Sequence, residues 1–110
     1  MFECNEKSSF CLDITLVDDD GNPLNPVSKV EWWVGKPRQD DPVIEKQEVE
    51  SPSASLTITV PEEANICTSG RDEERFVVIR VESTPYVKHI QYDYVVLNLG
   101  LVPYTIEEEV

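Results

Sequence analysis

The densest group of chemistry-bearing residues is Asp18-Asp-Asp-Gly-Asn22, which offers three carboxylates and a side-chain amide within five positions. Such oxygens suit calcium, which takes about six to eight of them. The spacing opposes that use, because a calcium loop alternates its ligands and closes on a distant Glu, whereas these acids are consecutive. Asp, Gly and Asn are also what a tight β-turn demands. The segment is therefore read as a structural turn. His89 is the single histidine, and with Cys4, Cys11 and Cys67 it forms no CxxC or HxxxH spacing, so a zinc site is not indicated. Nucleophilic catalysis has no better support: there is no GxSxG elbow, and four glycines include no phosphate-cradling loop. Acidic pairs such as Glu62-Glu63 and Asp72-Glu73 could serve as acid and base, but with 22 acids in the chain adjacent carboxylates arise by chance. No catalytic residue, metal site or cofactor is expected, and the chain is read as a non-enzyme.

Residues suited to binding are fewer and more telling. Trp32 and Trp33 are neighbours, so in a strand one faces inward and the other outward. Trp32 is the core candidate and Trp33 the outward one, covered by a loop or tail, or else meeting another subunit, since Trp is enriched among interface hot spots. Arg71 and Arg75 flank a mixed-charge stretch and form a candidate docking loop, the plainer reading being weak surface ion pairs. Tyr86, Tyr92, Tyr94 and Tyr104 read mostly as half-buried sheet residues with wet hydroxyls. Trp33, Arg71, Arg75 and Tyr104 are the candidate interface residues.

The elements that position them are strands. Phe10, Leu12, Ile14 and Leu16 alternate with Cys11, Asp13, Thr15 and Val17, the period of two of a half-buried strand. Val30, Trp32 and Val34 give a second strand, and 43–49 a short edge strand whose Glu45, Lys46 and Glu48 discourage pairing with other chains. Leu56, Ile58 and Val60 share the face of a clean strand over 54–60. The irregular 61–74 segment allows a helical turn over 62–66, with Pro61 before its acids. Residues 76–82 are β-branched enough for a central strand. Ser83-Thr-Pro-Tyr86 then turns the chain into a long strand over 86–97. Six or seven strands with turn signals about every 8–12 residues predict an all-β fold, an immunoglobulin-like antiparallel β-sandwich, with a small β-barrel as the alternative. Residues 1–9 are expected to form an arm, 10–98 a single domain and 99–110 a tail.

Composition narrows the function. The chain has 110 residues, enough for one domain with its own core. Its net charge of −13 repels nucleic-acid phosphates and anionic lipid and favours a basic partner surface. No apolar run approaches the ~20 residues of a membrane span. The acidic N-terminus lacks a signal-peptide h-region, so folding in a cytoplasm is expected. Three cysteines agree with reduced thiols, a Cys4–Cys11 bridge being the alternative.

The combination of Leu12-x-Ile-x-Leu-x-Asp-Asp-Asp-Gly-Asn-Pro23, Val30-Glu-Trp32, Ser51-Pro-Ser-Ala-Ser-Leu-Thr-Ile-Thr-Val-Pro61, Glu74-Arg75 before Val77-Val-Ile-x-Val81, and Tyr92-Asp-Tyr-Val-Val-Leu-Asn-Leu99 resembles a family. These are the small immunoglobulin-like β proteins encoded among the virion structural genes of tailed bacteriophages and prophages. The resemblance implies a head decoration or cementing protein, or a head–tail or tail component, with no catalytic residues. It implies a virion part assembled in the host cytoplasm, self-associating or bound to the major capsid or tail protein. A soluble binding module is the rival, one recognising carbohydrate or a host surface through Trp33 and nearby tyrosines.

Overall fold

The computed structural model describes residues 2–98, and its seven strands form two sheets. The chain runs β1 (Phe2–Asn5), β2 (Phe10–Thr15), β3 (Lys29–Gly35), β4 (Ile44–Glu48), β5 (Ser55–Val60), β6 (Glu73–Ser83) and β7 (Tyr86–Leu97). One sheet has the order β1-β7-β6-β3-β4 and the other pairs β2 with β5. The protein is a β-sandwich. Neighbouring β3, β6 and β7 facing a β2–β5 pair is the immunoglobulin arrangement, in which C, F and G adjoin and B pairs with E.

Each sheet buries the face that alternation assigns to it. Leu56, Ile58 and Val60 from β5 meet Val30 and Val34 from β3, Val77, Ile79 and Val81 from β6, and Tyr94 and Val96 from β7. Two strands cannot cover five. Trp32 and Ile44 on one flank, and Ile90 on the other, are therefore only partly buried against this core. The second sheet turns a polar face to water, where Thr57 donates to Asp13 at 2.9 Å and Cys11 lies 3.4 Å from Thr59.

Two expectations need correction. The segment read as an N-terminal arm contains β1, which pairs in parallel with β7 from Phe2 opposite Tyr94 to Asn5 opposite Leu97, so the sandwich is not wholly antiparallel. Its anchor is aromatic: Phe2 stacks on Tyr94 at 5.3 Å, and Phe10 meets both rings edge-on at 5.2 and 5.0 Å. The short edge strand is Ile44–Glu48, and the helical turn is a single 3-10 turn at Glu62–Ala64. The tail over 99–110 lies outside the described residues.

Strand directions sort the connections into two ends. The 6–9 turn and the 36–43 and 61–72 loops share one end. The 16–28 loop, the 49–54 turn and the Thr84-Pro85 turn share the other.

Candidate interaction surfaces

The acidic turn is built from its own groups. Asp18 accepts hydrogen bonds through its carboxylate from the backbone of Asp20 at 2.9 Å and Asn22 at 3.0 Å, while Gly21 adopts φ +86° and donates to the Asp18 carbonyl. That carboxylate oxygen is committed to the turn, and no group of metal-ligating side chains occurs among the described residues. The backbone of Leu24 returns to the Leu16 carbonyl at 2.9 Å, which extends β2 as a small hairpin over the end of the sandwich.

Beside this hairpin the sequence reading missed an apolar surface. Val17 is 53% exposed and Tyr86 76%, and they meet where the 16–28 loop approaches the turn between β6 and β7. A hollow of about 480 Å³ opens there, lined by Val17, Leu24, Val81 and Tyr86, with Asp18, Asp19 and Lys88 as its charged members. Variable immunoglobulin domains carry their B–C and F–G binding loops at the corresponding end. The available signal was Val17, an apolar residue on the wet face of β2 directly before the acids.

The outer face of the five-stranded sheet is the second surface. Glu31 is buried there between Lys29 at 3.5 Å and Arg80 at 3.4 Å, and Arg80 also bonds Glu82. This bonding raises the Arg80 guanidinium's affinity for its proton and lowers that of the Glu82 carboxyl. Trp33 stands across β6 from Val78, half-buried rather than bare. Its neighbours reach over it from both sides: the Lys46 ammonium from β4, 5.8 Å from the ring centre, and the His89 ring from β7 at 6.3 Å. Next to it the far end of the Phe76 ring packs against Gly35, so close that a Cβ on Gly35 would come within 2.6 Å of it. A shallow hollow of about 240 Å³ is floored by Trp33 and Phe76 and rimmed by Gln39, Asp40, Asp41 and Lys46.

The two arginines of the expected docking loop separate. Arg71 is exposed and has no ion pair among the described residues. Arg75 is 2% exposed, which removes it from any surface contact. Its guanidinium donates to the carbonyls of Ala64 at 3.2 Å, Ile66 at 2.9 Å and Glu74 at 3.0 Å, and to the Glu73 carboxylate at 2.8 Å. Glu73 in turn accepts from the backbone of Thr68 at 2.7 Å and Ser69 at 2.8 Å. Burial pushes the Glu73 carboxyl up, but the hydrogen bonds from Arg75, Ser69 and Thr68 outweigh it and hold the group at about 2. Arg75 and Glu73 thus shape the 61–72 loop from within. Asn65 does similar work, accepting from the Tyr94 hydroxyl at 2.8 Å and donating to the Ser8 carbonyl at 2.7 Å. Tyr104 lies outside the described residues.

Among the described residues, reactive groups do not converge. Burial pushes the thiols of Cys4 and Cys67 up, away from the thiolate that a nucleophile requires. All three cysteines are free. No helix among the described residues is long and apolar enough to cross a membrane. No protein-family model matches the sequence, and no curated protein is significantly similar to it.

Proposed function

We propose that this chain is a non-enzymatic structural protein of a tailed-bacteriophage virion, a head decoration or cementing subunit or a head–tail or tail component, that works through its surfaces. The virion setting rests on the sequence resemblance. The observation that carries the interface reading is the exposed apolar pair Val17 and Tyr86 at the loop-end hollow. Large side chains on a rigid hairpin tip are poorly placed to stabilise the fold and well placed to bury against a neighbour, where Tyr is a preferred anchor. A −13 surface disfavours nucleic acid and leaves protein as the partner, either another copy or the major capsid or tail protein.

The test is genetic and physical together. Deletion of the gene from the encoding phage, complemented by wild type or by a Val17→Ser, Tyr86→Ser double variant, is followed by particle purification and heat challenge. Wild-type protein should co-purify with particles in stoichiometric amount and protect them, and the double variant should remain folded but be lost from them. Particles that assemble, resist heat and infect equally well without the protein, and never carry it, would sink the proposal.

A further inference from the structure

The hollow beside Trp33 holds chemistry that the fold itself does not use. Its floor is two aromatic rings, with Phe76 packed against Gly35 where any side chain would collide with it. Its rim carries Asp40 and Asp41, both exposed and, among the described residues, in no ion pair. The Trp33 ring already attracts a cation, since the Lys46 ammonium sits within cation–π range at 5.8 Å. We propose that this hollow receives an arginine side chain of a basic partner protein, and that Lys46 is a placeholder which the arginine displaces.

Arginine fits better than lysine on physical grounds. A guanidinium is planar, so it stacks on an indole face while its fork of N–H donors reaches carboxylates at the rim. It is also more weakly hydrated than an ammonium, so leaving water for a half-open hollow costs less. An ammonium is already present and leaves both rim acids unpaired. Charge complementarity selects the same partner, because 22 acids against nine bases draw a basic surface toward this chain from a distance. The inference concerns what this face binds and stands whether or not the partner belongs to a virion.

Isothermal titration of the full chain with hexa-arginine and hexa-lysine peptides tests it. Hexa-arginine should bind tighter than hexa-lysine, and both Trp33→Leu and the Asp40→Asn, Asp41→Asn double variant should weaken it. Lys46→Ala should tighten binding by about 2- to 5-fold, the factor expected from freeing an exposed cation–π position. Lys88→Ala removes the same charge at the loop-end hollow and serves as the control. The proposal is overturned if Lys46→Ala and Lys88→Ala act alike, if the aspartate variant binds as wild type does, or if the hollow ignores both peptides and takes a neutral oligosaccharide. Should Trp33→Leu fail to fold, the substitutions at exposed Asp40, Asp41 and Lys46 still decide the matter.

Discussion

A guanidinium that leaves water inside a sandwich must have its hydrogen bonds replaced, and three carbonyls together with Glu73 do this for Arg75. Because Glu73 titrates near 2 in the fold, below its unfolded value of about 4.3, its stabilising contribution is complete above roughly pH 4.5 and is lost as the pH falls toward 2. Its side chain keeps some contact with solvent, so screening limits that contribution to about 1–2 kcal/mol. Glu73→Gln should therefore lower stability by that amount at pH 7, and urea unfolding curves of variant and wild type should converge as the pH falls from about 4.5 toward 2. A gap undiminished at pH 2 would mean that the lost packing, not the lost charge, carries the effect. Arg75 looked like a surface residue because it sits in a charged stretch ahead of a strand. Yet extending the alternation of Val81, Ile79 and Val77 by one more step places it on the inner face. Type suggested solvent and spacing suggested core, and spacing prevailed because loop carbonyls were there to accept.

At the scale of elements, the strands legible in the sequence are those whose two faces differ. Leu56, Ile58 and Val60 against Ser55, Thr57 and Thr59 cannot be misread, and the burial of β5 follows them residue by residue. In β1 the signal is four residues long, with only Phe2 and Cys4 on one side, and acidic neighbours make it resemble a solvated arm. What holds it is invisible locally: its ladder to β7 and the aromatic cluster with Phe10 and Tyr94, whose partners lie far along the chain. The loop-end hollow was hidden for the same reason, since Val17, Leu24 and Tyr86 meet only once β2 and the hairpin of β6 and β7 are packed. Phe2→Ala removes two ring contacts, each worth about 0.5–1.5 kcal/mol, so the domain should lose about 1–2 kcal/mol after allowance for the partial exposure of Phe2. Hydrogen exchange gives a sharper reading. The amide of Glu6, which bonds the Leu97 carbonyl at 3.1 Å, should lose protection far more than amides in the β3–β6 ladder. Equal loss at both places would show that β1 opens only with the whole domain.

For the whole molecule the governing quantity is the imbalance of 22 acids over nine bases, which acts on folding and on association with opposite sign. In the folded chain the acids are held near one another, and self-repulsion destabilises the compact state. Added salt screens that repulsion, and it also screens the ion pairs that Lys29, Lys36, Arg75 and Arg80 make. Repulsion should win, because among the described residues only Glu31, Glu73 and Glu82 stand in the ion pairs given above, and of these the Arg75 and Glu31 pairs are shielded from solvent and screened least. Raising sodium chloride from about 10 mM to 0.5 M should therefore stabilise the protein by on the order of 1 kcal/mol, a rise in Tm of roughly 4–8 °C. Binding to a basic surface should weaken over the same range, since long-range attraction is the first thing salt removes. Thermal unfolding and peptide titration in the same buffers measure the two together. A Tm that falls with salt would mean that the ion pairs around Glu31 and Glu73 outweigh the net charge, and that the acidity of this chain serves its fold rather than its partner.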